Sequence, residues 1–197
     1  AYAPIIASGK SACVLHYIEN NKICKEGDLL LMDFGAEYAN YAADCTRTIP
    51  VNGKFTPRQK ECYEAVLLVM NKAISWLTPG ASIQKINERV ESLLQEEHIK
   101  LGLYTQEDVN NQEPGKPLVK KYYPHGTCHF IGLDVHDVGE RTTILEEGMV
   151  LTCEPGIYIP EENIGIRIED NIIVGLKPMN IMEQIPKTVE EIESLMK

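Results

Sequence analysis

One frame occurs twice in this chain, and it limits the possible folds more than any other feature. KEGDLLLMDFG, which contains Gly27, Asp33 and Gly35, matches EEGMVLTCEPG, where Gly148, Glu154 and Gly156 stand at the same places. Each copy runs on to a second carboxylate in a strand-like segment, Asp44 in YAADCTRTIPV and Glu169 in GIRIEDNIIV. Between the copies lies HGTCHFIGLDVHD, which carries His125, His129 and His136. A chain repeated in this way predicts two matching sets of strands about an internal pseudo-twofold, with four carboxylates at related positions.

The order of elements supports that reading. Asp28 to Asp33 is a mostly apolar run between glycines and predicts a buried strand, paired across a short turn with a second strand over Tyr38 to Ile49. Thr56-Pro57 is an N-cap followed by proline at the first helical position, and apolar residues recur at helical spacing from Cys62 to Leu77 until Thr78-Pro79-Gly80. Ser82 caps a second helix with the stripe Ile83, Ile86, Val90, Leu93 and Leu94. From Gly102 to Pro124 the breakers predict a long loop at the rim of a site, and strands return over 149–153, 156–159 and 164–174. A short terminal helix is expected to dock through Ile192, Leu195 and Met196. Strands, helices and strands in that order define an α+β class with a mostly antiparallel sheet flanked by helices.

Composition closes off several functions. With 44% hydrophobic and 24% charged residues, the 197 positions suit a single domain with a full core. A net charge of −10 argues against a nucleic-acid partner, whose phosphates call for clustered Lys and Arg. No apolar run approaches the roughly 20 residues of a membrane crossing and no signal peptide opens the chain, so the expectation is a cytoplasmic protein without a membrane partner. The six cysteines lack C-x-x-C pairing and read as reduced; Cys128, among the histidines, is the candidate for reactivity.

Asp33 and Asp44 lie on consecutive strands and can meet on one face of a hairpin, as can Glu154 and Glu169. Taken singly, each has a plainer reading, as a turn former or a solvated strand residue. Four converging carboxylates without a cation would repel and take up protons, whereas two divalent metals would resolve the conflict. Ions held about 3.5–4 Å apart supply a water activated near neutral pH. An extended His125–His129 segment would let His129 reach a metal, with His125 and His136 on the substrate side.

Across Tyr2 to the C-terminus the chain resembles the pita-bread metallopeptidases, and most of all their X-Pro aminopeptidase branch. The resemblance rests on ASG and LHY near the start, MDFGAEYANYAADCTRTIPVNGKFT, HGTCHFIGLDVHDVG, LEEGMVLTCEPGIYI and GIRIEDNIIV. It implies the pita-bread fold, with Asp33 chelating one metal, His129 and Glu154 binding the other, and Asp44 and Glu169 bridging the two. It implies manganese first, with cobalt or zinc as alternatives.

By the same resemblance, a hydroxide bridging the metals attacks the peptide carbonyl, Glu154 shuttles its proton, and His125, His136 and His16 position the peptide. Arg167, Tyr2 and Thr46 are expected to hold the ligands from behind, a core histidine and a surface ion pair being the plain alternatives for His16 and Arg167. Cys128 stands where relatives often carry Ser or Gly. Residues 1–197 are expected to form the catalytic domain, without its opening helix and a preceding N-terminal domain, and to be a homo-oligomer when full length. The implied substrates are peptides with proline in second position. A prolidase, a catalytically weak peptide-binding module and, least of all, creatinase-like chemistry are the alternatives.

Overall fold

The computed structural model describes residues 1–197. Strand β1 (Ile5–Ser8) leads through a 3-10 turn at Gly9–Cys13 toward β2 (Leu29–Phe34). A tight hairpin of β3 (Glu37–Tyr38) and β4 (Tyr41–Ala42) precedes β5 (Cys45–Pro50), and β1, β2 and β5 form one antiparallel sheet in the order β1-β2-β5. In the second half, β6 (Val150–Cys153), β7 (Gly156–Ile159), β8 (Ile164–Arg167), β9 (Asp170–Ile173) and β10 (Met179–Asn180) follow one another. Its three-stranded sheet has the order β10-β9-β6, and β7 pairs with β8. The predicted pseudo-twofold is present: β2 corresponds to β6, and β5 to β9. An isolated bridge between Thr46 and Glu169 joins the two sheets.

The repeated glycines explain the repeated frame. Gly27 and Gly148 both lie in the left-handed region, at φ +87° and +90°, in the turns entering β2 and β6. A Cβ on Gly35 would fall 1.7 Å from the Ala43 carbonyl oxygen, and one on Gly156 would fall 2.8 Å from that of Ile166. The carboxylate-bearing strand end in each half therefore passes too close to neighbouring backbone for any side chain there.

Helices α1 (Pro57–Ser75) and α2 (Ile83–Lys100) pack together. Thr56 accepts from Gln59 N at 3.3 Å while Gln59 Oε1 accepts from Thr56 N at 2.9 Å, a reciprocal cap that fixes the start of α1. Tyr63, Val66, Met70 and Ala73 of α1 join Ile86, Val90 and Leu94 of α2, Leu151 and Ile172 of the β10-β9-β6 sheet and Ile157 and Ile166 of the β7/β8 pair in the principal core. No helix is long and apolar enough to cross a membrane.

Three expectations need correction. The strand expected over Tyr38 to Ile49 is broken, because Ala39 and Asn40 both take positive φ and turn the chain back on itself before β5 begins. The stretch from Gly102 to Pro124 contains two short helices, α3 (Gln106–Asn110) and α4 (Val119–Tyr122), and does not line the site. Its Tyr104, Val119, Tyr122 and Tyr123 are buried in the core. The terminal helix α5 (Val189–Leu195) docks through Val189, Ile192 and Met196, while Leu195 is exposed.

A buried polar knot lies beneath the junction of the two sheets. Arg47 Nη1 donates to the Thr46 and Glu169 carbonyls at 2.9 and 2.7 Å, and its Nη2 meets Asp170 Oδ1 at 2.5 Å. Asp170 Oδ2 also accepts from Lys187 and Asn180. Leaving any of these buried groups unpaired would be costly, so the knot fixes the backbone at Thr46 and from Glu169 to Asp170.

Candidate metal centre

All the candidate carboxylates sit at strand ends. Asp33 is the penultimate residue of β2, Asp44 immediately precedes β5, Glu154 follows β6 and Glu169 lies between β8 and β9. His129 comes from an extended segment laid along β6, where Thr152 N donates to the His129 carbonyl at 3.0 Å and Glu154 N to the Thr127 carbonyl at 2.8 Å. Asn87 of α2 holds the start of that segment, its Oδ1 accepting from Thr127 N at 2.8 Å.

These groups converge on a cavity of about 440 Å³ whose lining includes Asp33, Asp44, Glu154, Glu169, His129 and Arg167. Asp44, His129 and Glu169 each present a ligand atom within 4.8 Å of the other two. His129 Nε2 stands 3.5 Å from Asp44 Oδ2 and 3.7 Å from Glu154 Oε1. Its Nδ1 lies 2.9 Å from the Phe130 carbonyl, which can only accept, so Nδ1 carries the hydrogen and Nε2 faces the carboxylates.

The surrounding residues compensate the negative charge only in part. Arg167 is buried; its Nη2 donates to Asp33 Oδ2 at 2.6 Å, its Nε to Thr46 Oγ1 at 3.1 Å and its Nη1 to the Tyr158 hydroxyl at 2.9 Å. Thr46 Oγ1 in turn donates to Glu169 Oε2 at 2.6 Å. Glu169 Oε1 is buried with no partner. The Tyr2 hydroxyl bridges Asp33 Oδ1 and Asp44 Oδ1, yet a phenol has one proton to give and cannot satisfy both.

The protonation equilibria register the same deficit. Burial pushes Glu154 up to about 7 and, with the charges of Glu154 and Asp44, holds Glu169 well above the usual carboxylate range. Burial also raises Asp33 in spite of Arg167. An orphaned carboxylate oxygen, a phenol asked to serve two acids and an imidazole nitrogen aimed among them together fit divalent cations. Asp33, Asp44, His129, Glu154 and Glu169 are the residues that could hold them.

The outer residues sort themselves by exposure and bonding. His16 and His136 are exposed at the cavity, so His16 is no core histidine, and the His136 ring lies 4.3 Å from that of His129. His125 has both ring nitrogens engaged, with Gly126 O at 2.7 Å and the Tyr158 hydroxyl at 2.8 Å, and burial followed by the Arg167 charge lowers it to about 3. It is therefore neutral, held in a chain that runs from Arg167 through Tyr158 to its Nε2. Arg167 bonds Asp33, Thr46 bonds Glu169 and Tyr2 bonds Asp33 and Asp44, and the burial of Arg167 excludes a surface ion pair there.

Sequence reasoning missed Tyr158, Asn87 and Asn171. Asn171 grips the Asp44 backbone with both ends of its amide, at 3.1 and 2.9 Å. Its signal was its place two residues after Glu169, on the same strand face; Asn87 was the polar residue beside the apolar stripe of α2.

Comparison with known proteins now places the chain. The model of metallopeptidase family M24 matches residues 1–175, and the chain belongs to that family. It is 43% identical to the Xaa-Pro aminopeptidase of Haemophilus influenzae over 209 residues, covering 100% of this chain and 48% of that protein. It is likewise 43% identical to the Xaa-Pro aminopeptidase of Escherichia coli over 212 residues, covering 100% and 47%. Among solved structures, zinc-substituted E. coli aminopeptidase P in complex with product superposes with a TM-score of 0.90 at 41% identity, covering 99% of this chain and 47% of that one. Proline aminopeptidase P II from Yersinia pestis gives a TM-score of 0.90 at 40% identity, covering 99% and 48%. The fold is therefore the pita-bread fold, and the chain spans about half the length of the curated relatives it matches.

Proposed function

We propose that residues 1–197 form the catalytic domain of a two-metal exopeptidase that removes an N-terminal residue preceding proline. The observation that carries this reading is the meeting of ligand atoms of Asp44, His129 and Glu169 within 4.8 Å, together with the unpartnered Glu169 Oε1, in a chain 43% identical to proteins named Xaa-Pro aminopeptidase. Asp33 would serve one ion, His129 and Glu154 the other, and Asp44 and Glu169 both. An oxygen-rich set with one imidazole suits manganese, with cobalt or zinc as alternatives. When bound, the ions supply a water of lowered pKa and a Lewis acid for the peptide carbonyl.

The protein's own residues do the rest. Glu154 faces the cavity 3.8 Å from His125 Nδ1, placed to take a proton from the attacking water and return it to the leaving nitrogen. His136 and His16, on the exposed side, can donate to the substrate carbonyl oxygen as charge develops there. Leu15 and Phe130 give the cavity an apolar wall for a pyrrolidine ring. Arg167 and Thr46 keep Asp33 and Glu169 from turning away.

The test is turnover of Xaa-Pro-Xaa tripeptides and Xaa-Pro dipeptides by the manganese-loaded protein. Cleavage of tripeptides at the Xaa-Pro bond, abolished in Asp44→Ala, is the expected result. Activity on dipeptides alone points to a prolidase, and a protein that binds peptide without cleaving it, in the presence of metal, refutes the enzyme reading.

A further inference from the structure

Two thiols outside the charge network face each other directly behind the candidate centre. The extended segment 127–131 pairs with β6 through the antiparallel bridge Phe130↔Leu151, the Thr152 N to His129 O bond and the Glu154 N to Thr127 O bond. That register sets Cys128 opposite Cys153, at a position where neither backbone bonds the other. Residues so paired have Cα atoms about 4.5 Å apart with their side chains on one face, inside the range of about 4.4–6.8 Å that a disulfide spans. Cys128 lines the cavity and Cys153 lies wholly buried behind it. The residues that follow them are His129 and Glu154.

We infer that Cys128 and Cys153 form a reversible disulfide site that reacts with a small peroxide entering the cavity. The Cys128 sulfur bonds one peroxide oxygen as the O–O bond breaks, giving a sulfenic acid and a first water. The Cys153 sulfur then bonds the Cys128 sulfur; the S–O bond breaks, and the hydroxyl leaves with the Cys153 proton as a second water. The two sulfurs give up two electrons, and one peroxide becomes two waters. A large oxidant is excluded, since Cys128 is only 7% exposed.

The consequence follows from position. A disulfide prefers Cα atoms about 5.5–6 Å apart, wider than the roughly 4.5 Å of this pair, so the bond and its fixed dihedral shift both strands just where His129 and Glu154 leave them. Metal affinity should then fall by about ten- to a hundredfold, the range seen when the support of a ligand is disturbed. This consequence rests on the metal-centre reading; the bridge itself does not. By reciprocity, bound metal must lower the formation constant of the disulfide by the same factor.

The experiment treats the reduced protein with hydrogen peroxide and maps its peptides without reduction. The expected result is a loss of two thiols of the six, a Cys128–Cys153 linked peptide lighter by two hydrogens, and recovery with dithiothreitol. Cys153→Val should give no linked peptide and instead a Cys128 sulfenic acid that dimedone traps. Calorimetry with manganese should show the affinity loss in the oxidised protein and its return on reduction. Thiol loss confined to the exposed Cys24, or Cys128 oxidised to sulfinic acid with no link, overturns the site. A linked protein with unchanged manganese affinity overturns the coupling. A link formed in a protein that binds no manganese even when reduced upholds the bridge and sinks the metal-centre reading instead.

Discussion

The two halves of this molecule bring their carboxylates together by different routes and support them unequally. In the first half, Asp33 stands opposite Thr46 in the β2/β5 ladder, and Asp44 arrives two residues before Thr46, on the diagonal. In the second, the β6/β9 ladder ends at Cys153↔Asp170, so Glu154 and Glu169 are the next residues on strands that face each other. The first pair is met by protein groups: Arg167 and Tyr2 on Asp33, Tyr2 on Asp44, and Asn171 on the Asp44 backbone. The second pair has the Thr46 hydroxyl and, more distantly at 3.9 Å, Arg167 Nε on one oxygen of Glu169 and nothing on the other, with imidazoles at 3.7 and 3.8 Å from Glu154. A duplicated frame has therefore produced one half whose carboxylates the fold engages on several sides, though with too few protons for both, and one that leaves a buried carboxylate oxygen without a partner.

The comparison breaks first if the shared ligands prove unequal. Asp44→Ala and Glu169→Ala, one from each half, should each lose at least ~10³ in kcat/KM on a tripeptide, about 4 kcal/mol of transition-state stabilisation. A large loss in one and a small loss in the other would show that the ions are not shared between the halves.

A control outside both halves separates general acid sensitivity from that of the site. His98 in α2 is fully buried, its Nδ1 lies 3.1 Å from the Tyr104 hydroxyl, and burial lowers it to about 4. Its folded pKa lies below the unfolded value near 6.5, so the unfolded chain binds the extra proton between those limits. Its contribution is complete above about 6.5 and is lost as pH falls through about 4, amounting to about 3 kcal/mol. Urea denaturation of His98→Phe at several pH values should show a shallower decline over that window than the wild type shows; parallel curves would contradict the assignment.

Metal removal sharpens the contrast next. Manganese at a hundred times its Kd should stabilise the protein by about 2.7 kcal/mol, seen as a rise in Tm of roughly 5–10 °C for a chain of this size. The rise should persist in Tyr2→Phe, which alters the more fully bonded half, and vanish in Glu169→Ala.

Smaller effects come from the supports. Arg167→Met should cost about ten- to a hundredfold in kcat/KM, with part of the loss recovered by Arg167→Lys. Thr46→Val should cost about 1 kcal/mol of stability through the lost bond to Glu169. A loss of kcat/KM in Thr46→Val as large as that in Arg167→Met would mean that Thr46 supports its carboxylate as strongly as the guanidinium supports Asp33.

Much of this was legible before any coordinates. The paired glycines announced the pseudo-twofold because Gly27 and Gly148 occupy a backbone region few other residues enter, and Gly35 and Gly156 lie against backbone that excludes a Cβ. The caps at Thr56 and Ser82 set the helix starts correctly. The break at Ala39-Asn40 was hidden because strand-like residues flank it, and Ala39 is an unusual occupant of positive φ. In 102–124 the breakers outweighed a readable signal, the Thr105 and Asp108 cap of α3. Within the site, the duplicated frame pointed to the four carboxylates that line the cavity, while the contacts of Tyr158, Asn87 and Asn171 join distant segments that no local pattern encodes.

Anomalous diffraction from crystals loaded with manganese tests the central claim most directly. The account predicts two peaks about 3.5–4 Å apart, ringed by Asp33, Asp44, His129, Glu154 and Glu169, with an ion bound to Glu169 Oε1. No peak in the cavity, or a single peak away from these side chains, would contradict it.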